Sequence, residues 1–261
     1  MSNRRAAAAA WIAAALLLAG SRRADAQFLS DLEPERPLAM EDARPVSFHA
    51  FSGSADWTYS VRKGDLNDYG PGFSLAYGAA RNLEAGAAIR WVTRPERNAD
   101  RGIASGDIAL HALYRLADET ASRPELAVRV GLQFPTGLAS KGTDLQLAAL
   151  ATRSFDGFRL HGNVRYARLG ATVVGERQER YEGVLGFDFL PSRRLTDTVL
   201  LADVSVRSNT VLQEKTILEI EAGARRKIGP QTLVFLGAGS ELTGRTDRTR
   251  LKLRIGITHV Y

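Results

Sequence analysis

From residue 46 to the last residue, hydrophobic and polar positions alternate one by one, and helical spacing is absent. Leu83, Ala85, Ala87, Ile89 and Trp91 alternate with Glu84, Gly86, Ala88 and Arg90. Leu126, Val128, Val130, Leu132 and Phe134 alternate with Glu125, Ala127, Arg129, Gly131 and Gln133, and Phe158, Leu160, Val164 and Tyr166 alternate with Arg159, His161, Asn163 and Arg165. Successive side chains of a strand point to opposite faces, so each segment has one apolar face and one face of charges, Gly and small polar groups. The pattern predicts strands near 46–60, 72–80, 83–93, 106–116, 124–134, 143–154, 157–168, 180–190, 198–207, 215–227, 231–240 and 249–261. That is about twelve; merging 72–80 with a neighbour gives ten, and splitting 143–154 gives fourteen.

Alternation alone does not say which face looks inward. A soluble two-sheet sandwich hides the apolar face, whereas a membrane barrel turns it to lipid. Three features favour the barrel. Short connections (81–82, 155–157, 228–230) alternate with longer, charged ones (62–72, 94–105, 169–180), as periplasmic turns and outer loops do. Aromatic residues of the apolar face fall at strand ends, where amphipathic rings meet headgroups. Trp91, Phe134, Tyr166 and Tyr181 belong to one rim, and Tyr114, Phe158, Phe189 and Tyr261 to the other. Finally, about ten residues at ~3.3 Å each, tilted by roughly 40–45°, span the ~25 Å apolar band. The expected fold is all-β: a transmembrane antiparallel up-and-down β-barrel of about twelve strands, preceded by an N-terminal signal peptide.

That leader is MSNRR, an unbroken apolar run from Ala6 to Gly20, and Ala24-Asp25-Ala26 as a small-x-small cleavage pattern. Fifteen apolar residues are short of a membrane-spanning helix. The expected division is a signal peptide over 1–26, cleaved after Ala26 on Sec export, a periplasmic lead-in over 27–45, and an outer-membrane barrel over 46–261. The lead-in is acidic and rich in proline, which suits a loosely docked tether or, alternatively, a small plug. Losing the leader removes four Arg and one Asp, which lowers the formal net charge from +6 by three. No basic run is interleaved with aromatics, so nucleic acid is not an expected partner. The chain has no cysteine, which excludes disulfides, thiolate metal sites and a lipidated N-terminal Cys.

The last strand, LKLRIGITHVY, places Leu251, Leu253, Ile255, Ile257 and Tyr261 on one face. A terminal aromatic residue preceded by alternate apolar positions resembles the C-terminal signal of bacterial outer-membrane barrels. The expected partners are therefore the barrel-assembly machinery and outer-membrane lipids, with the protein itself a monomer.

GDIALHALYRL (106–116) followed by RPELAVRVGLQFPTG (123–137) resembles paired strands of an outer-membrane transporter-like barrel family named for the meta-pathway of phenol degradation. The likeness extends from about Val46 to the end of the chain. It implies a barrel passing small hydrophobic or aromatic compounds, and it carries no binding residues that can be transferred.

On the polar face lie Arg90, Asp107, His111, Arg115, Glu125, Arg129, Arg159, His161, Arg165, Glu182, Asp188, Glu219, Glu221, Arg225, Lys252 and Arg254. These line the expected lumen, where mixed signs on neighbouring strands would brace the wall as ion pairs or set the field of a pore. A lipid-cleaving barrel would pair a Ser nucleophile with a His base. The four His (His49, His111, His161, His259) are followed two residues later by Phe51, Leu113, Asn163 and Tyr261, so an H-x-S pattern is missing; His49 with Ser52 is the near miss. Gly237-Ala238-Gly239 lies in a strand with no following helix and is no phosphate loop. No catalytic residue, metal site or cofactor is expected. The function expected is a small-molecule channel working by passive diffusion. Alternatives are a closed structural or adhesive barrel, then a lipid-modifying enzyme.

Overall fold

The computed structural model describes residues 38–63, 67–91, 106–137, 141–172, 174–191, 197–244 and 248–261. The leader, residues 27–37 of the lead-in and the loop expected at 94–105 lie outside the described residues. Among those described, twelve strands form: β1 (Phe51–Arg62), β2 (Asn67–Ala80), β3 (Leu83–Arg90), β4 (Asp107–Ala117), β5 (Glu125–Phe134), β6 (Asp144–Phe155), β7 (Phe158–Arg168), β8 (Glu179–Phe189), β9 (Thr198–Arg207), β10 (Ile217–Lys227), β11 (Thr232–Thr243) and β12 (Thr249–Val260). Each pairs with its sequence neighbours, and β12 pairs antiparallel with β1, so the sheet closes into a barrel. Phe51 N donates to Tyr261 O at 3.2 Å and Tyr261 N to Phe51 O at 2.7 Å, which completes the seam at one rim.

The two rims differ. At one, β2–β3 and β6–β7 turn through residues 81–82 and 156–157, with Gly157 in the left-handed region (φ 79°) that the second tight turn needs. The other rim carries the connections 91–106, 135–143 and 169–178.

Two strand starts differ from the sequence expectation by five residues. β1 starts at Phe51 instead of residue 46, because the chain turns at His49 (φ 65°). Residues 48–50 lie against the end of β2: His49 N donates to Gly78 O and Gly78 N to Ala50 O. A Cβ on Gly78 would run into the Ser47 carbonyl, so only glycine admits this approach. β2 starts at Asn67, within the stretch 62–72 expected as a loop. Asn, Asp, Pro and two Gly imitate turn chemistry there, yet Gly72 makes room for the Asp56 carboxylate, whose Oδ1 would lie 2.7 Å from a Cβ.

The apolar face turns outward. Val128, Val130, Leu132, Leu147, Val164, Leu185, Val204, Ile220, Leu236, Ile255 and Ile257 are all exposed on the barrel exterior. Of the aromatic residues expected at the rims, Trp91, Tyr114, Phe158, Tyr181 and Tyr261 are exposed, and Phe134, Tyr166 and Phe189 are half-buried. Tyr166 packs on Tyr181 with ring centroids 5.3 Å apart. The exterior also carries rings away from strand ends: Trp57 against Tyr69 (6.0 Å) and Phe73 against Trp91 (5.9 Å). Trp57 sits opposite Pro71 in the register on the outer face, and Gly70 and Gly72 take the inward positions on either side of Pro71.

This orientation predicts Val128→Arg and Leu185→Arg to destabilise the folded barrel by about 2–4 kcal/mol each, as cations near mid-membrane do. Gly131→Arg enters the lumen, where a Cβ meets only ordinary contacts with Gln146 and Leu110, and its cost should be well below that. Denaturant unfolding in lipid vesicles measures all three; equal losses on both faces would refute the orientation.

Candidate functional site

The inner wall is a set of ion pairs ordered along the barrel axis. At the short-turn end, Arg115 meets Glu125 at 3.1 Å and also donates to Asn82 Oδ1 at 2.7 Å. Arg159 holds Asp188 at 2.6 Å, and Arg225 approaches the same carboxylate at 3.5 Å. Further along the wall His111 Nε2 lies 3.0 Å from Glu84 Oε1, and ion pairs join Arg165 to Glu182 (2.8 Å), Arg254 to Asp56 (2.8 Å), and Lys252 to Glu221 (2.6 Å) and Glu219 (3.3 Å). Toward the long-loop end, Arg90 reaches Asp56 (3.2 Å), Arg207 reaches Glu241 (2.6 Å) and Glu219 (3.2 Å), and Asp107 accepts from Gln133 (3.0 Å) and from Gly137 N (2.9 Å). Removing one partner of such a buried pair leaves an uncompensated charge, so the pairs act as a unit.

Sequence parity put Arg90, Asp107, His111, Arg115, Glu125, Arg129, Arg159, His161, Arg165, Glu182, Asp188, Glu219, Glu221, Arg225, Lys252 and Arg254 on this face. It missed Asp56, Asp203, Arg207 and Glu241, which the same alternation would have found had it been carried through β1, β9 and β11. It also missed Arg153, fully buried, whose guanidinium donates to the carbonyls of Thr120, Ala121 and Arg123 and so caps the β4–β5 turn from inside. The inner face is not uniformly polar either. Leu113, Leu150, Val199, Leu201, Leu233 and Phe235 point inward and are buried, and Arg254 lies over the Phe235 ring at 5.6 Å.

Leu113, Leu150, Val199 and Leu201 have an occupant to pack against. Residues 38–46, expected as part of a periplasmic lead-in, run through the barrel from the β8–β10 wall to the β3–β5 wall, which realises the plug alternative for the described part. Leu38 and Met40 pack with Val184, Val199 and Leu201, while Ala43 packs with Leu113, Ala127 and Leu150. The segment forms no sheet, so its backbone groups need side-chain partners. Ala39 N donates to Glu221 (2.7 Å), Met40 N to Asp203 (2.8 Å), Glu41 N to Asn163 Oδ1 (2.7 Å), Ala43 N to Thr152 Oγ1 (3.1 Å) and Val46 N to Glu84 (2.8 Å). Asn163 and Arg165 donate in return to the carbonyls of Glu41 and Ala39.

The segment's own charges complete the wall's pairs. Glu41 bridges Arg129 (2.7 Å) and Arg165 (2.9 Å), Asp42 takes Arg159 (3.2 Å), and Arg44 reaches Glu125 (3.4 Å). Burial pushes the Glu41 carboxyl up, but the Arg129 and Arg165 guanidiniums outweigh it and hold the group below the ordinary range. Glu41 is therefore a carboxylate at neutral pH.

The segment does not fill the lumen. One cavity of about 420 Å³ lies between it and the inner faces of β1–β4 and β12. That wall carries the small groups Ser52, Ser74 and Ala76 beside the charged Glu84, Arg90, Lys252 and Arg254. A second cavity of about 580 Å³ opens beside β5–β9. The two share Glu41, Arg90, Arg129, Arg165, Glu182 and Arg207 in their linings and so meet around Glu41.

Among the described residues, the nearest approach to a catalytic arrangement is closed off. His161 Nδ1 lies 3.1 Å from Thr152 Oγ1 and its Nε2 lies 3.4 Å from Asp188 Oδ2. That hydroxyl–imidazole–carboxylate line is wholly buried, and Thr152 Oγ1 is already engaged by Asp42 at 2.7 Å, so no substrate reaches it. His49 bonds Tyr77 Oη at 3.2 Å and not Ser52. Among the described residues no cluster of His, Asp and Glu is set to hold a metal ion.

A barrel of twelve antiparallel strands, apolar outside and ionised inside, with short turns at one rim, matches one fold. The chain has the outer-membrane porin fold. An outer membrane channel from Pseudomonas putida F1 superposes with a TM-score of 0.63 over 88% of this chain and 100% of that one, at 12% identity. The NanC porin gives 0.58 over 78% and 98%, at 11% identity. The KdgM porin, solved in complex with disordered oligogalacturonate, gives 0.54 over 79% and 98%, at 10% identity. No protein-family model and no curated protein matches the sequence.

The seat of the inner segment can be tested through Gly186, where a Cβ would run into Met40. The chain has no native cysteine, so Ala43→Cys supplies a single thiol. It should be protected from a water-soluble maleimide in the folded barrel and become reactive when Gly186→Leu is added. Full reactivity without the second substitution would contradict the seated geometry.

Proposed function

We propose that the protein is a monomeric channel of a Gram-negative outer membrane that passes small molecules by diffusion beside its inner segment. The observation that carries this reading is the pair of cavities meeting around Glu41 inside a charged wall. A polar interior with open space along it is what a diffusing solute requires. The inner segment narrows the lumen to the dimensions of small solutes. Export behind a cleaved leader and assembly guided by the last strand, with Tyr261 at its rim, belong to the same reading.

The likeness of residues 106–116 and 123–137 to the meta-pathway family adds aromatic compounds as the solute class to examine first. Channel and porin barrels as structural neighbours favour a non-enzymatic role. A second reading, a closed structural barrel, draws on the dense ties of residues 38–46 to the wall.

Planar-bilayer recording separates the two. Refolded protein should give small discrete conductance steps, and deleting residues 27–46 should raise the unit conductance severalfold. Silence from both proteins would favour the closed barrel.

A further inference from the structure

The lumen is close to charge-balanced, yet its two signs are not equally placed. At several pairs the carboxylate lies against the wall and the cation lies over it, whereas around Glu41 the two signs are about equally exposed, Arg129 at 31% to Glu41 at 28% and Arg165 at 23% to Glu182 at 20%. Arg90 has a side chain 44% exposed over an Asp56 that is 3% exposed. Arg207 is 36% exposed over Glu219 and Glu241 at 3% and 4%. Lys252 covers Glu219 and Glu221 in the same way, as Arg44 covers Glu125. The arrangement follows from side-chain length: Asp and Glu end close to the backbone, while Arg and Lys extend past them. Inward glycines deepen the effect, since Gly72 and Gly239 leave the room in which the Asp56 and Glu221 carboxylates sit.

At Arg90, Arg207 and Lys252 a solute therefore meets a guanidinium or ammonium group before the carboxylate behind it. At contact distance the near charge outweighs the one behind it, and low-dielectric walls focus the field. The larger cavity has an excess of cations in its lining: Arg90, Arg129, Arg165, Arg180 and Arg207 face only two carboxylates, Glu41 and Glu182, because the acidic partners of Arg90 and Arg207 (Asp56, Glu219 and Glu241) lie buried behind them. Planar guanidiniums match carboxylates with paired hydrogen bonds.

We propose that the lumen selects anions and that this arginine-lined cavity takes small organic carboxylates. The inference rests on the channel reading and deepens it by naming the charge of the solute. It also alters the expectation drawn from family likeness: an aromatic solute here is one that carries a carboxylate, and its neutral analogue is excluded from the preferred class.

Two measurements test it. In a KCl gradient across a planar bilayer, the reversal potential should show chloride favoured over potassium severalfold. In detergent solution, calorimetric titration should show sodium benzoate binding while benzyl alcohol and benzylammonium do not. The variant combining Arg90→Gln with Arg207→Gln should weaken benzoate binding by about tenfold and bring the chloride preference toward unity. It should fold, because Arg254 still pairs with Asp56, Lys252 with Glu219, and Thr249 N with Glu241. Potassium preference, equal binding of the alcohol or the amine, absence of benzoate binding, or an unchanged variant would each overturn the proposal. A barrel with no conductance would sink the channel reading alone, because the titration still decides the chemistry of the cavity.

Discussion

Backbone pairing in lipid is the constraint on which the rest depends. With no water in the hydrocarbon layer, each strand N–H and C=O must bond within the protein, and a sheet achieves this only by closing. The β12–β1 seam, finished by the two hydrogen bonds between Phe51 and Tyr261, does so. Once the sheet is closed, the period of two divides every strand between lipid and lumen. Val128, Leu185 and Ile255 are sent outward, and Arg129, Glu182 and Arg254 have nowhere to go but in.

Twelve strands enclose more space than their side chains fill; about eight is the packed limit. Charged residues solve part of this by pairing across strands, and the inner segment solves more. It brings Leu38, Met40 and Ala43 to inward apolar residues that would otherwise face water, and it adds Glu41 and Asp42 to a wall whose arginines need them. The remaining space is the passage we propose, and its preference would follow from the arginines that line it in excess over Glu41 and Glu182. Structure and proposed selectivity thus share one origin.

The strands were legible because alternation is a strong signal when both faces have a fixed environment. Parity on β3, β5 and β7 gave the inward residues directly. It failed where turn-like composition met a structural need, as in β2, whose Asn67, Pro71 and Gly72 read as a loop while Gly72 was making room for Asp56. Residues 38–46 carry no periodicity, because their backbone groups are met by side chains from several strands and not by a neighbouring strand, so composition suggested a tether where the chain is seated. Pairing could not be read from one strand either: that Asp56 serves both Arg90 and Arg254 depends on the seam joining β1 to β12.

The inside-out arrangement is tested most directly by the fluorescence of Trp57, in a Trp91→Phe background lacking residues 1–26, refolded into vesicles whose acyl chains carry bromine. The account places this ring among the lipid chains, so brominated lipid should quench most of its emission and acrylamide in the water should quench little. Strong acrylamide quenching with indifference to bromine would put Trp57 in contact with water or in a soluble core, and the account would fail.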